Sequence, residues 1–89
     1  MVKVYTMKSC GYCISLKEML INDGIEFAEI DIDSPENSEE FKSICEITKS
    51  ETVPIVKVGS RLLVPNVSFH TITDGYLLTK KLLTEVSNL

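Results

Sequence analysis

The 89-residue chain is long enough for one compact domain and too short for a second core of useful volume. Apolar residues at 44% and charged residues at 25% exclude a disordered chain, and no apolar run approaches the ~20 residues that span a bilayer. The net charge of -4, with the few Lys and Arg scattered, excludes a surface for a phosphate backbone, so neither nucleic acid nor membrane is an expected partner.

Val2 to Thr6 is β-branched and aromatic apart from Lys3, which predicts a buried strand. Met1 leads into it with no signal-peptide core, so the expected location is cytoplasmic. From Cys13 onward Leu16, Met19 and Leu20 recur at three- and four-residue steps, predicting a first helix that stops near Asp23-Gly24. Phe27, Ile30 and Ile32 predict a second strand. Ser34-Pro35 then places a capping residue before a proline at the first helical position, with Phe41, Ile44 and Cys45 as the apolar face of a second helix that fades at Lys49-Ser50.

Ile55 to Val58 and Arg61 to Val64 flank Gly59-Ser60, the pattern of a tight hairpin whose first loop residue needs positive φ. After Asn66 the pattern is helical again, with Tyr76, Leu78, Leu82, Leu83 and Val86 on one broad face, weakened at its start by Thr71, Thr73 and Gly75. The order βαβαββα, opening on a strand-helix-strand unit with a right-handed crossover, predicts an α/β fold: a four-stranded mixed sheet flanked by three helices. With no repeat or linker, residues 1–89 are read as a single domain.

Cys10 and Cys13 sit two residues apart at the strand-to-helix junction. That position exposes one sulfur at the helix start, where free backbone N–H groups and the positive end of the helix dipole favour a negative charge, and puts the other sulfur one turn deeper. Cys10 is therefore the expected nucleophile. Cys13 is placed to attack a mixed disulfide on Cys10 and release the reduced product, and Lys8 adds a nearby positive charge. The alternative is half of a zinc site completed by Cys45 and His70, but a second closely spaced ligand pair is missing, so no metal is expected. Cys45 reads as a small apolar residue of the core and His70 as a surface residue.

Val4-Tyr5-Thr6, Cys10-Gly11-Tyr12-Cys13, Thr52-Val53-Pro54 and the Gly59 hairpin together resemble a glutaredoxin, over about Val2 to Val64. The resemblance implies a thioredoxin-like fold and a thiol-disulfide oxidoreductase acting on disulfide-containing proteins or glutathione mixed disulfides, recharged by glutathione, as a monomer. It also implies a cis Pro54 beside the cysteines, the alternative being a trans proline at a strand start. A cis bond would turn the Val53 backbone toward an extended substrate, with Thr52 beside it and Tyr12 as an exposed aromatic ring at the site.

Two departures from the family pattern bear on this resemblance. Gly11 stands where many dithiol glutaredoxins carry Pro; in related proteins a non-Pro residue here accompanies a [2Fe–2S] cluster shared by two protomers, which would make Cys10 a cluster ligand. After the hairpin, the usual Gly-Gly pair and acidic residues are replaced by Val64-Pro65-Asn66-Val67-Ser68. Met7 takes the place of a basic residue, for which Lys8 is the candidate substitute. Backbone N–H groups of Val67 and Ser68, at the expected start of the last helix, are then the candidate carboxylate binders, with Ser68 as a plain helix cap the alternative. The missing acidic pair opens a second reading, a redoxin that reduces a ribonucleotide reductase and is recharged by thioredoxin reductase. A third reading, a non-enzymatic cluster carrier, rests on Gly11 alone.

Overall fold

β-Branched residues occupy the central strands of the sheet. A computed structural model describes residues 2–87, without the side chains of Val86 and Ser87, so the predicted core role of Val86 lies outside the described residues. The strands are β1 (Val2–Thr6), β2 (Ala28–Asp31), β3 (Ile55–Val58) and β4 (Arg61–Leu63). They form one sheet in the order β2-β1-β3-β4, with β1 parallel to β2 and antiparallel to β3. The expected mixed four-stranded sheet is present, and the crossover between β1 and β2 carries helix α1 (Gly11–Asn22).

The alternation of β1 divides the core between the two faces of the sheet. Val2 and Val4 pack with Val56 and Val58 against Leu16 and Leu20 of α1 and Leu82 of α3 (Ile72–Ser87). Tyr5 points the other way, into a second cluster with Ile55 and Ile44 of α2 (Ser38–Thr48). Each fully enclosed Leu, Ile or Val stabilises the fold by about 1.5–3 kcal/mol, so β1 and β3, buried on both faces, hold the molecule together. Phe27 packs toward the α1/α3 side and Ile30 and Ile32 toward α2, as an edge strand with alternating sides requires.

Four details differ from the sequence-based expectation. Ser34 makes no side-chain cap; Pro35–Asn37 form a single 3₁₀ turn, held by Asn37 Nδ2 donating to Asp31 O at 2.9 Å and Ser38 Oγ donating to Pro35 O at 2.9 Å, and α2 begins after it. Cys45 is not part of the core: Ile44 takes the buried position on α2 and Cys45 is half-exposed beside it. The third helix begins at Ile72, well beyond Asn66. The intervening chain folds on itself, with Asn66 at φ +65° and its N–H donating to Phe69 O at 2.7 Å. Thr71 then caps the helix, accepting at Oγ1 from the Asp74 N–H at 3.1 Å.

Gly75 is the fourth difference, since it is a packing site and no weak point. A Cβ there would meet the Phe69 ring at 3.1 Å, so the missing side chain lets Phe69 lie flat on α3. Thr79, fully buried one turn on, bonds back to Gly75 O at 2.8 Å and so satisfies its hydroxyl. Gly59, at φ +62°, turns the β3–β4 hairpin as expected.

Candidate functional site

Cys10 is the N-cap of α1. Its backbone is extended (φ -91°, ψ 107°), and its sulfur takes the role that a Ser or Asp oxygen plays at most helix starts, accepting from the Cys13 N–H at 3.2 Å. The Cys10 N–H donates to Met7 O at 3.1 Å, closing the turn that carries the chain from β1 into the helix. The first turn of α1 contains no acidic residue. The Cys13 amide and the positive end of the helix dipole are thus both directed at Cys10 Sγ.

The two thiols are unequal. Cys10 keeps 8% of its surface and Cys13 none. Burial pushes the Cys13 thiol up to about 12, helped by the hydrogen bond and charge of Cys10 and opposed by the Met7 backbone and the Lys17 charge. Lys17 follows Cys13 by one helical turn, and its Nζ lies 2.6 Å from Glu29 Oε2 on β2. That same oxygen accepts from Thr6 Oγ1 at 3.0 Å, so the cation is held by the sheet. In consequence the Glu29 carboxyl lies below the usual carboxylate range. Local sequence pattern does not show this Thr6–Glu29–Lys17 group; the one signal it leaves is Lys17, four residues after Cys13.

Val53 and Pro54 close the site from β3. The bond between them is cis, Val53 packs against both cysteines, and the Cys10 thiol reaches the Val53 carbonyl oxygen at 4.0 Å. Beside this cluster runs an open groove of about 590 Å³, floored by Thr52, Val53 and Pro54. Tyr12, 70% exposed, stands on its α1 side with Ser15 and Met19, and the segment from Pro65 to Thr73 forms the other wall.

The structure thus brings Cys10, Cys13, Tyr12, Thr52, Val53 and Pro54 together. Lys8 is exposed on the turn before Cys10 and does not line the groove. Val67 and Ser68 are a correction: their N–H groups already donate to Val64 O, at 3.1 and 2.8 Å, and Ser68 Oγ accepts from the Val64 N–H at 3.0 Å. They are neither a helix start nor a helix cap. The opening amides of α3, at Ile72 and Thr73, border the groove in their place, with His70 next to them. The signal for this was Thr71-x-x-Asp74, a helix-start pattern ahead of an apolar run.

Residues 2–63 match the family model for glutaredoxin. The chain is 28% identical over 65 residues to an uncharacterized glutaredoxin-like 8.6 kDa protein in the rubredoxin operon of Clostridium pasteurianum, covering 72% of this chain and 83% of that one. It is 31% identical over 61 residues to a glutaredoxin of Solanum lycopersicum, covering 67% of this chain and 56% of that protein, so it spans little more than half of the plant relative's length. A buckwheat glutaredoxin in complex with glutathione superposes with a TM-score of 0.73 at 24% identity, over 94% of this chain and 76% of that one, which shows the thioredoxin-like fold.

Proposed function

The chain belongs to the glutaredoxin family, and on that premise we propose that it is a dithiol disulfide oxidoreductase in which Cys10 attacks and Cys13 resolves. The observation that carries this reading is the inequality of the thiols: one accepts a backbone N–H and keeps 8% of its surface, the other is fully enclosed and held protonated. The Cys10 thiolate attacks one sulfur of the substrate disulfide, a new S–S bond forms, and the other sulfur leaves as a thiolate that takes up a proton. Cys13 then loses its proton, attacks Cys10 Sγ and expels the second substrate thiol. Two electrons pass to the substrate, and an intramolecular disulfide remains. The Val53 backbone, beside the reacting sulfur, is suited to pairing with an extended substrate chain.

Two glutathione molecules, the ligand of the buckwheat protein, would return the pair to the dithiol as they become glutathione disulfide. A second reading, recharging by thioredoxin reductase with a ribonucleotide reductase among the protein substrates, is favoured by one observation: no Lys or Arg lines the groove among the described residues. A [2Fe–2S] cluster takes four thiolates. Cys13 is enclosed and Cys45 lies on α2 outside the cysteine cluster, so the chain brings one sulfur, Cys10, to the site; a cluster shared by two protomers would draw half of its thiolates from elsewhere, and no step is routed through one.

Cys10→Ser is expected to abolish disulfide reduction, whereas Cys13→Ser retains the first attack and accumulates a mixed disulfide on Cys10, visible as an added thiol mass. Equal loss of the first attack in both variants would contradict the assignment. Reduction of the oxidised chain is expected from glutathione with its reductase and NADPH. If thioredoxin reductase with NADPH is faster, the second reading replaces the first.

A further inference from the structure

The groove beside the cysteines has no permanently charged side chain in its lining. Among the described residues its ionisable groups are the Tyr12 phenol and the His70 imidazole. Histidine is the side chain whose charge ordinarily changes between about pH 5 and 8, so His70 is the lining residue able to supply a cation there. It is exposed, on the irregular segment between Phe69 and Thr71, and belongs to no helix or strand. His70 also borders a second depression, to which α3 contributes Asp74 and Lys81. These two, opposite in charge, and the Tyr12 phenol are the other ionisable side chains lining either depression among the described residues. The polar groups nearest to His70 along the groove wall are neutral: the Asn66 amide and the Thr71 and Thr73 hydroxyls.

We propose that His70 is a specificity-determining residue of this groove: as the imidazolium it pairs with a carboxylate of a glutathione mixed disulfide and makes uptake of that anionic substrate rise as pH falls. The inference rests on the disulfide-reductase reading above and names a binding residue of that same site. Glutathione carries two carboxylates and one ammonium group, a net negative charge, close to its sulfur. A carboxylate that leaves water for the groove needs a donor, and a charged donor bonds it more strongly than a hydroxyl or amide does. The imidazolium has an N–H on both ring nitrogens and no acceptor, which suits a carboxylate. As pH rises the ring loses its charge and one of those donors, and the neutral groups of Asn66, Thr71 and Thr73 remain. The pairing lies at an exposed rim, so solvent screening holds its effect to a few-fold. A substrate with no carboxylate near its sulfur is indifferent to His70.

The test uses the reduced chain in single turnover with two probes that release the same chromophore, pyridine-2-thione. One is the mixed disulfide of pyridine-2-thiol with glutathione, the other its mixed disulfide with acetyl-cysteine-methylamide, which has no carboxylate and no amine. Cys10 attacks the cysteine sulfur, and the pyridine thiolate leaves with the electron pair and takes up a proton. Cys13 then attacks Cys10 Sγ and expels the peptide thiol. At each pH the second-order rate constant of the wild type is divided by that of His70→Gln, so that the ionisation of the attacking thiol, common to both proteins, cancels. For glutathione this ratio is expected to be about 3 to 5 near pH 5.5, to fall toward about 1 near pH 8, and to shrink in high salt. For the neutral probe it stays near 1 throughout. His70→Lys, which keeps its charge, is expected to carry the low-pH preference for glutathione up to about pH 8. A glutathione ratio that does not change with pH, or one that the neutral probe matches, would overturn the proposal and leave the reductase reading standing. So would a His70→Lys variant no faster with glutathione than His70→Gln near pH 8. No release above the Cys10→Ser level with either probe would defeat the reductase reading, and the proposal with it.

Discussion

In the proposed mechanism, resolution by Cys13 depends on a proton that burial makes hard to remove. Lys17 is the cation that works against this burial, and Glu29 and Thr6 hold it in place from the sheet. Replacing Lys17 by Met removes the positive charge and leaves Glu29 as an unpaired anion on the same side of the helix. Both changes push the Cys13 thiol further up. The expected result is a slower second step, by about 3- to 10-fold at neutral pH, in rapid-quench measurements of thiol release from the Cys10 mixed disulfide. The first attack, measured in a Cys13→Ser background, should change less. Equal slowing of both steps would mean that Lys17 acts only through the fold. The Cys-x-x-Cys pair is legible in the sequence, and so is the inequality of its thiols, because a sulfur at a helix start is less enclosed than one a turn deeper. The sequence does not show Glu29 as a partner, because that contact joins α1 to a strand twelve residues further along the chain.

At the scale of elements, α1 follows from the sequence alone: a capping residue at Cys10, apolar residues at helical spacing and Gly24 at φ +69° just past its end. The third helix does not. Its periodic residues extend back toward Asn66, but the left-handed Asn66 and the bonds to Val64 O fold that segment into a loop. Thr71 begins the helix in its place. Thr71→Ala should therefore destabilise the chain by about 0.5–2 kcal/mol in urea unfolding. Since residues 71–73 also line the groove, KM for a disulfide peptide should rise more than kcat falls. Loss of stability with an unchanged KM would show that the cap does not shape the wall. Cys45 is ambiguous in sequence for a related reason: helical spacing marks Ile44 and Cys45 alike, and only the sheet beneath α2 determines which of the two is covered.

For the whole molecule, the buried titratable groups set the pH range of stability. Cys13 moves from its ordinary 9.0 to about 12 on folding. Its contribution is complete below about pH 9 and declines as pH rises toward 12, because the unfolded chain gives up the proton first. Tyr5, buried and donating to Glu40, is shifted in the same direction. At the acid end the carboxyls of Glu40, bonded to Tyr5, and Glu29, bonded to Lys17, are held below their usual range, so their contribution is present above about pH 4.5 and lost as pH falls. Urea midpoints of the reduced chain should decline from about pH 9 upward, and Cys13→Ser should lessen that decline, leaving the share of Cys45, which is raised in the same direction, and of Tyr5 above about pH 10. An unaltered profile in Cys13→Ser would remove Cys13 as the cause.

The sequence by itself determined the element order, the mixed sheet and the cysteine pair, because hydrophobic period, turn glycines and a helix-start thiol are local properties of the chain. Only the tertiary structure decided what stands around that pair. The Lys17–Glu29–Thr6 group, the covering of Ile44 over Cys45, and a groove walled by α1 and residues 65–73 all join segments distant in sequence. Local pattern cannot specify such contacts; they follow from which faces the packed sheet and helices leave opposite one another.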